Sequence, residues 1–198
     1  GTGKSDLGLA IAHALSESGH AAEIVNTDSM QFYRGMNIGT AKLAEAERGG
    51  VKHHLIDWLA VTDESTAAEY QLKAREVIEG IQSRGAVPIL VGGSMLYIAA
   101  VLNTFEFPGQ DEDLRAKLEQ ELIEVGPGLM HRKLQQLDPI AASRIDPLNG
   151  RRIVRAIEII SVTGEPFAAS LPDEPESWQP VLEIGLNSDR AHLVERLN

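Results

Sequence analysis

The sequence contains no cysteine among its 198 residues, which excludes disulfides, thiolate metal ligands and cysteine nucleophiles. A cysteine-free composition fits a reducing compartment, so we expect a cytoplasmic protein. No apolar run reaches membrane-spanning length and no secretory signal is visible, so we expect no membrane partner. The histidines lack metal-ligand spacing, which argues against a zinc site, and the sequence has no G-x-S-x-G elbow.

Positive charge is also scarce. The chain has 18 Lys and Arg residues against 29 Asp and Glu, a formal net charge of −11. Contacts to nucleic-acid phosphates need cations, so this balance counts against a nucleic-acid partner, although a local basic face is compatible with it. The hydrophobic fraction of 43% is sufficient for a folded core, and the length allows one large or two small domains.

The chain opens with Gly1-Thr2-Gly3-Lys4-Ser5, which matches the end of the phosphate-binding P-loop G-x-x-x-x-G-K-[ST]. Backbone N–H groups at the start of the following helix form an anion site, to which Lys4 adds a charge on the terminal phosphate. Ser5 is the predicted Mg²⁺ ligand. The simpler alternative is a helix N-terminus with an incidental lysine. Because a P-loop follows a buried strand, we expect the first strand and the start of the loop to be missing from this chain.

Strand and helix signals alternate through the first half of the chain. This alternation predicts an α/β fold with a P-loop-type parallel sheet flanked by helices. Amphipathic, charge-rich helices then predict a helical insertion or lid. We predict a P-loop core at 1–109, the insertion at 110–148 and a return to the core at 149–198, with a C-terminal part truncated. The predicted strands are 22–25, 54–56, 87–91 and 181–186, and the predicted helices are 5–18, 66–82, 94–102, 111–125, 129–137, 139–145, 148–162 and 189–197.

Asp28 follows the first predicted strand, at the edge where α/β folds bind ligands. Its carboxylate could bind Mg²⁺ through water, act as a general base or cap a turn, and the turn is the commonest role of an Asp-Ser pair. Gln31 could pair with an adenine edge, and Phe32 and Tyr33 could stack on a base, but loop packing is the simpler interpretation. Ser94 follows a strand and two glycines, so it could donate to a phosphate or base, or belong to a tight turn.

Arg151, Arg152 and Arg155 form the concentrated basic patch of this acidic chain. Arg151 and Arg155 are i, i+4 neighbours on a predicted helix, with Arg152 beside them. A solvated helix face is the usual explanation of such charge. Three arginines with little acid nearby also suit an RNA-binding surface.

These segments together resemble the tRNA dimethylallyltransferase (tRNA isopentenyltransferase) family along nearly the whole chain. The most specific similarity is the run Asp-Ser-x-Gln-x-Tyr-x-Gly-Met-x-Ile-Gly-Thr-Ala-Lys at residues 28–42, which ordinary P-loop kinases lack. The other matching segments are Gly1–Ser5, His53–Asp57, Val91–Tyr97 and Gly150–Ala156.

The resemblance implies transfer of a dimethylallyl group from dimethylallyl diphosphate to the N6 amine of adenosine 37, 3′-adjacent to the anticodon in tRNA, with release of diphosphate. The implied partner is the tRNA anticodon stem-loop, the implied cofactor is Mg²⁺, and we expect a monomer. Three roles are distributed over matching positions. The implied catalytic residues are Lys4, Ser94 and Asp28, with Asp28 as the base. The residues implied to bind the diphosphate are Gly1, Thr2, Gly3, Lys4, Ser5 and Arg196, with Mg²⁺ bound at Ser5. The residues implied to bind tRNA are Asp28, Ser29, Met30, Gln31, Ser94, Arg151, Arg152 and Arg155.

Three other functions use some of the same features. A small-molecule P-loop kinase needs the same phosphate cradle and a base at a strand end, and it predicts phosphoryl transfer from ATP. An adenylate isopentenyltransferase acts on a free nucleotide, but the helical segment and the arginine patch favour tRNA. A non-enzymatic RNA-binding module leaves Lys4, Ser5 and Asp28 without a role.

Overall fold

The computed structural model describes residues 2–104, 107, 109–167 and 176–197, apart from the side chains of residues 192, 196 and 197. The chain divides into two compact units. Unit 1 comprises residues 1–104 and 177–198, and unit 2 comprises residues 105–176. The helices and strands are α1 (Lys4–Glu17), β1 (Ala22–Asn26), β2 (His53–His54), α2 (Ala67–Ser83), β3 (Val87–Val91), α3 (Met95–Leu102), α4 (Glu112–Val125), α5 (Pro127–Leu137), α6 (Pro139–Arg144), α7 (Gly150–Thr163) and α8 (Arg190–Leu197).

Unit 1 is built on a parallel three-stranded sheet in the order β2-β1-β3, which confirms the predicted α/β class. Ile24 in β1 pairs with His53 on one side and Ile89 on the other. The carboxyl ends of the three strands therefore lie at one edge, from which the loops after β1 and β3 emerge. Such an edge is where α/β folds assemble ligand sites.

Helix α1 packs closely against this sheet because Gly8 has no side chain. A Cβ at Gly8 would lie 2.7 Å from Cγ2 of Val91, so a larger residue would push the helix off β3. Helix α2 begins with a capping box in which Thr66 and Glu69 bond each other's backbone amides. Its buried face, which includes Tyr70 and Ile78, contributes to the core of unit 1.

Unit 2 is helical and has its own hydrophobic core. Asp111, Asp138 and Asn149 cap α4, α6 and α7 by accepting backbone N–H groups, while α5 and α6 each begin with proline. Proline suits the first helical position because its missing donor would be unpaired there. The core members of unit 2 are Leu118, Met130, Leu134, Ala141, Ala142, Ile145, Ile153, Val154, Ala156 and Ile157.

Two features of the structure differ from the sequence prediction. Helix α7 belongs to unit 2, where its apolar face packs against α4 and α5, so the return to the first unit falls at Ser177 instead of the predicted residue 149. The strand predicted at 181–186 is wrong: this segment is exposed, has no regular secondary structure and pairs with no strand in the part of the chain that the structure describes. Over the same described part, no helix combines the length and apolarity needed to cross a membrane.

Candidate active site at the sheet edge

A cavity of about 260 Å³ lies in unit 1, at the carboxyl edge of the sheet. Several of the residues predicted from the sequence line it together, and so do several that the prediction missed. The predicted group consists of Thr2, Gly3, Lys4, Ser5, Asp28 and Gln31. The unpredicted group includes Asp6, Ile24, Asn26, Thr40, Ala41, Leu43, His53, Ile56 and Val91; Gly92, one of the two glycines before Ser94, also lines the cavity.

The start of α1 supplies the anion-binding side of the cavity. Gly3 precedes the helix with φ 87°, a left-handed conformation that glycine adopts without strain. The N–H groups of the first helical turn have no intrahelical partner and carry the positive end of the helix dipole. The Lys4 ammonium donates to the Thr2 hydroxyl at 3.2 Å and lies beside Gly93, where an added Cβ would be 3.7 Å from Nζ. This geometry suits a phosphate or diphosphate group.

Asp28 both caps a turn and lines the cavity. Its Oδ1 accepts the Met30 N–H at 3.0 Å, which starts the 3-10 turn Ser29–Gln31. The turn-capping role weighed from the sequence is therefore present. A carboxylate has two oxygens with several acceptor sites, so this one bond leaves Asp28 with capacity for a ligand in the cavity.

Asn26 holds the Asp28 loop in place, and the sequence prediction missed it. It is buried at the end of β1, where its Nδ2 donates to the carbonyls of Leu55 and Asp28 and its Oδ1 accepts the Asp28 N–H. The Tyr70 hydroxyl donates to the Asn26 carbonyl at 2.6 Å. A buried polar group with all these partners rigidifies its surroundings, so Asn26 sets the position of the catalytic candidate beside it.

Gly92 allows the loop after β3 to touch the loop after β1. A Cβ at this position would lie 2.5 Å from the Thr27 carbonyl carbon and 2.7 Å from the Asp28 nitrogen. These are backbone atoms, which cannot rotate away as a flexible side chain can. The glycine is therefore required by the close approach of these two backbone segments.

We expect Gly92→Ala to lower the free energy of unfolding by about 1–3 kcal/mol, the usual cost of overpacking. The added methyl group also displaces Asp28, so binding of inorganic diphosphate and any activity should fall together. Gly93→Ala is the matched control, because the nearest atoms to a Cβ there are the end of the flexible Lys4 side chain at 3.7 Å. Urea unfolding of both variants measures the difference. Equal stabilities would show that the loops can separate at no cost.

Ser94 joins the same two loops at the start of α3. Its Oγ accepts the Ser29 N–H at 3.1 Å and lies 3.2 Å from the Ser29 hydroxyl. Ser94 is not among the residues that line the cavity. The contacts give Ser94 and Ser29 a role in fixing the loop, and their predicted contacts to substrate stay predictions.

The loop after Asp28 is packed, not open. Gln31 donates from Nε2 to the carbonyls of Thr40 at 2.9 Å and Ala41 at 3.3 Å, so this amide already serves the loop. Phe32 is completely buried and stacks on Tyr70 with ring centroids 4.9 Å apart, so its suggested stacking on a base is wrong in this structure. Met30 remains half-exposed.

A buried lysine stabilises this loop as well. Lys42 has a side chain only 3% exposed, and its Nζ lies 2.6 Å from Asp57 and 2.7 Å from the Tyr33 carbonyl. Lys42, at the end of the family-specific run, thus links the loop after β1 to the segment that follows β2. No signal in the sequence distinguished this lysine from an exposed one.

His53 is the other unpredicted member of the cavity. Its Nδ1 lies 2.8 Å from the Val51 carbonyl. Burial lowers the pKa of the imidazole below its ordinary value, and the nearby Arg48 and His54 act in the same direction. The adjacent residue His54 binds Glu23 instead, on the other face of the strand.

The predicted basic patch lies on α7 in unit 2. Arg151 and Arg152 are exposed in the first turn of the helix. Arg155 differs, because it pairs with the fully buried carboxylate of Glu158 at 3.0 Å. Arg115 binds the same carboxylate with two nitrogens at 2.9–3.2 Å. The apparent absence of acid near the arginines was therefore wrong for Arg155, whose contact with RNA stays a prediction.

Two of the predicted diphosphate ligands, Gly1 and the side chain of Arg196, lie outside the described residues. Within the described ranges, no cluster of three or more His, Asp or Glu side chains could hold a metal ion. A metal at the cavity would therefore depend on few protein ligands.

Known proteins similar to this chain match it along nearly its whole length. A profile of the IPP transferase family matches residues 31–198. The chain is 54% identical over 198 residues to a tRNA dimethylallyltransferase of Clavibacter sepedonicus, covering all of this chain and 64% of that protein. It is 53% identical over 195 residues to one of Thermobifida fusca, covering 98% and 61%. The chain thus spans less than two thirds of the length of these relatives.

Solved structures show the same similarity. The full-length tRNA isopentenylpyrophosphate transferase of Bacillus halodurans is 41% identical with a TM-score of 0.50, over 83% of this chain and 54% of that one. A eukaryotic dimethylallyltransferase acting on tRNA is 29% identical with a TM-score of 0.72, over 85% and 41%.

Proposed function

This chain belongs to the IPP transferase family, and on that premise we propose that the protein transfers a dimethylallyl group from dimethylallyl diphosphate to the N6 amine of adenosine 37 in tRNA. The observation that carries the proposal is the shared cavity of Lys4, Ser5 and Asp28. The start of α1 with Lys4 can bind an anion, and Asp28 supplies a carboxylate to the same cavity. This combination suits a reaction in which diphosphate leaves and a proton is removed.

The start of α1 and Lys4 stabilise the leaving diphosphate. In the transfer, the bond between the allylic carbon and the diphosphate oxygen breaks, and its electron pair leaves with the diphosphate. An allylic bond of this kind ionises readily when the departing charge is stabilised, so preorganised N–H groups and the Lys4 ammonium are the main contribution of the protein. The cradle holds the diphosphate at the strand ends, next to Asp28.

Ser5 lines the cavity, and its hydroxyl oxygen is a donor that fits Mg²⁺, with the Asp6 carboxylate lining the same space. This ion keeps several waters and needs only one or two protein ligands besides the substrate phosphates. Mg²⁺ held at Ser5 would supply further positive charge against the leaving diphosphate.

Asp28 takes the proton from the attacking amine. The exocyclic amine of adenine is a weak nucleophile, so the reaction requires it to be positioned and its proton to be removed. The nitrogen bonds to the allylic carbon as its proton passes to the Asp28 carboxylate. The target base must leave its stack to reach the cavity, as in base-flipping enzymes.

The most direct test uses the full-length protein, Mg²⁺, unmodified tRNA and dimethylallyl diphosphate labelled in its allyl group. We expect label on the adenosine 3′ to the anticodon, with one diphosphate released for each transfer. Parallel reactions with free AMP and with γ-labelled ATP test the adenylate isopentenyltransferase and the kinase. Label on AMP alone, or phosphoryl transfer without allyl transfer, would replace our assignment.

The arginines at the start of α7 bind the RNA backbone in this proposal. We expect Arg152→Ala to weaken tRNA binding and to reduce the slope of log affinity against log salt by roughly 0.7–0.9 for each phosphate that is no longer neutralised. Because Arg152 is exposed, stability should not change. Lys73→Ala, which removes an exposed cation from α2 in unit 1, is the control. A salt slope equal to that of the unmodified protein would exclude Arg152 from the interface.

We further propose that the protein acts as a monomer in the cytoplasm. The residues described as lining the cavity all belong to unit 1 of one chain, as expected for a site in a monomeric enzyme. Gel filtration with light scattering on the full-length protein tests the oligomeric state.

A further inference from the structure

His53 faces the cavity at the edge of the sheet, beside the central strand β1. It pairs in register with Ile24, and both residues are among those that line the cavity with Asp28. Its neighbour His54 points to the opposite face, where it binds Glu23. The chain thus has two adjacent histidines of which only one meets the space proposed for substrate.

The contact with Val51 fixes which nitrogen of His53 carries a proton. Nδ1 lies 2.8 Å from the Val51 carbonyl oxygen, and a carbonyl can only accept, so Nδ1 is the donor. Burial lowers the pKa of His53 below its ordinary value, which favours the neutral form of the ring. In a neutral ring with hydrogen on Nδ1, Nε2 has a free lone pair and acts as an acceptor.

An acceptor in the cavity selects between the two substrates of the proposed reaction. Dimethylallyl diphosphate has an apolar chain and oxygen acceptors but no N–H group. The adenine carries an amino group with two hydrogens. Gln31 could have recognised this edge, but both contacts of its Nε2 are with the loop carbonyls of Thr40 and Ala41. A neutral imidazole is therefore better suited to the base than to the allyl donor.

Resting on the proposed function, we propose that Nε2 of His53 accepts a hydrogen bond from the 6-amino group of the target adenine and so positions this amine for attack. One amine hydrogen points to Asp28 and the other to His53. The first passes to the Asp28 carboxylate as the new nitrogen–carbon bond forms and diphosphate leaves. The second stays on nitrogen throughout, so His53 is a positioning residue that gains and loses no proton.

The test compares two replacements that separate the two nitrogens. Asparagine can place its amide N–H near the position of Nδ1 and keep the bond to Val51, but it has no group at Nε2. Glutamine can place its amide oxygen near Nε2 and keep an acceptor. We expect His53→Asn to lower kcat for tRNA by about tenfold, the effect of removing one hydrogen bond, with KM for dimethylallyl diphosphate unchanged. His53→Gln should recover most of the loss.

His54→Asn is the matched control, because it changes the adjacent histidine on the opposite face. It should lower stability, since it removes the hydrogen bond with Glu23, and leave kcat unchanged. If His53→Asn retains full kcat, or if His53→Gln loses as much as His53→Asn, the positioning role is wrong while the proposed function stands. If the unmodified protein labels no tRNA, the proposed function fails and this role fails with it.

Discussion

Replacement of Asp28 by asparagine is expected to reduce dimethylallyl transfer by about 10²–10⁴-fold, the range that general acid–base catalysis contributes. Asparagine has nearly the same shape, and its side-chain oxygen can still accept the Met30 N–H that Asp28 accepts at 3.0 Å. The loop therefore keeps its structure while the basic carboxylate is lost. A large loss of rate in a normally folded variant separates the chemical role from the turn-capping role.

Single-turnover transfer with saturating tRNA and dimethylallyl diphosphate measures this effect, together with thermal unfolding and tRNA affinity. Asp63→Asn is the control, because Asp63 also caps a turn by accepting the Ala60 N–H but does not line the cavity. Asp28→Ala should lose the cap as well and be less stable than Asp28→Asn. Transfer by Asp28→Asn at a rate close to that of the unmodified protein would mean that Asp28 is only a turn residue.

The parts of the fold that were predictable are those determined by local sequence. The predicted strands at 22–25 and 87–91, which are rich in Ile and Val, became β1 and β3. The segment 181–186 has the same apolar character but forms no strand, because a strand also needs a partner for its backbone groups. Such a partner depends on tertiary structure, and no property of the segment itself reveals it.

The parts of the site that were missed depend on contacts between distant residues. Lys42 and Asp57 form an ion pair across 15 positions, and Asn26 bonds the Leu55 carbonyl across 29. Residue types alone favour exposure for such polar side chains. β2 is shorter than predicted because Leu55 adopts a positive φ of 59°, which ends the strand after His54 and leaves His53 beside the cavity.

The arginine patch was misjudged for a different reason. A buried acid was visible in the sequence at Glu158, between Ile157 and Ile159 on the apolar stripe of α7, three residues after Arg155. Spacing of i, i+3 brings two side chains together on a helix, so the pair could have been found. What the sequence could not indicate is Arg115, which reaches the same carboxylate from α4.

Glu158 is the second site where we expect a large effect. The residue is 0% exposed, and it accepts from Arg115, from Arg155 and from the Asp111 N–H at 3.1 Å. Burial alone would raise the pKa of this carboxyl, but these donors outweigh burial and hold the pKa below its ordinary value. The carboxylate is thus charged in the folded protein. It links Arg115 of α4, the α4 capping residue Asp111, and Arg155 of α7.

Glu158→Ala should destabilise unit 2 by about 3 kcal/mol, the lower end of the range for a broken buried ion pair. The lower end applies because the arginine side chains keep 30% and 26% of their area exposed, so water can partly replace the missing acceptor. Glu158→Gln retains the shape and one acceptor oxygen and should lose less. Glu121→Ala is the control, because it breaks a half-exposed pair with Lys133 in the same unit.

The pH dependence of unfolding separates charge from packing in this cluster. Because the folded-state pKa of Glu158 lies below its unfolded value, its stabilising contribution is complete above the unfolded value and is lost as the pH falls through the folded one. The unmodified protein should therefore lose more stability on acidification than Glu158→Gln, and the two curves should converge at low pH. Parallel curves would mean that Glu158 stabilises unit 2 by shape alone.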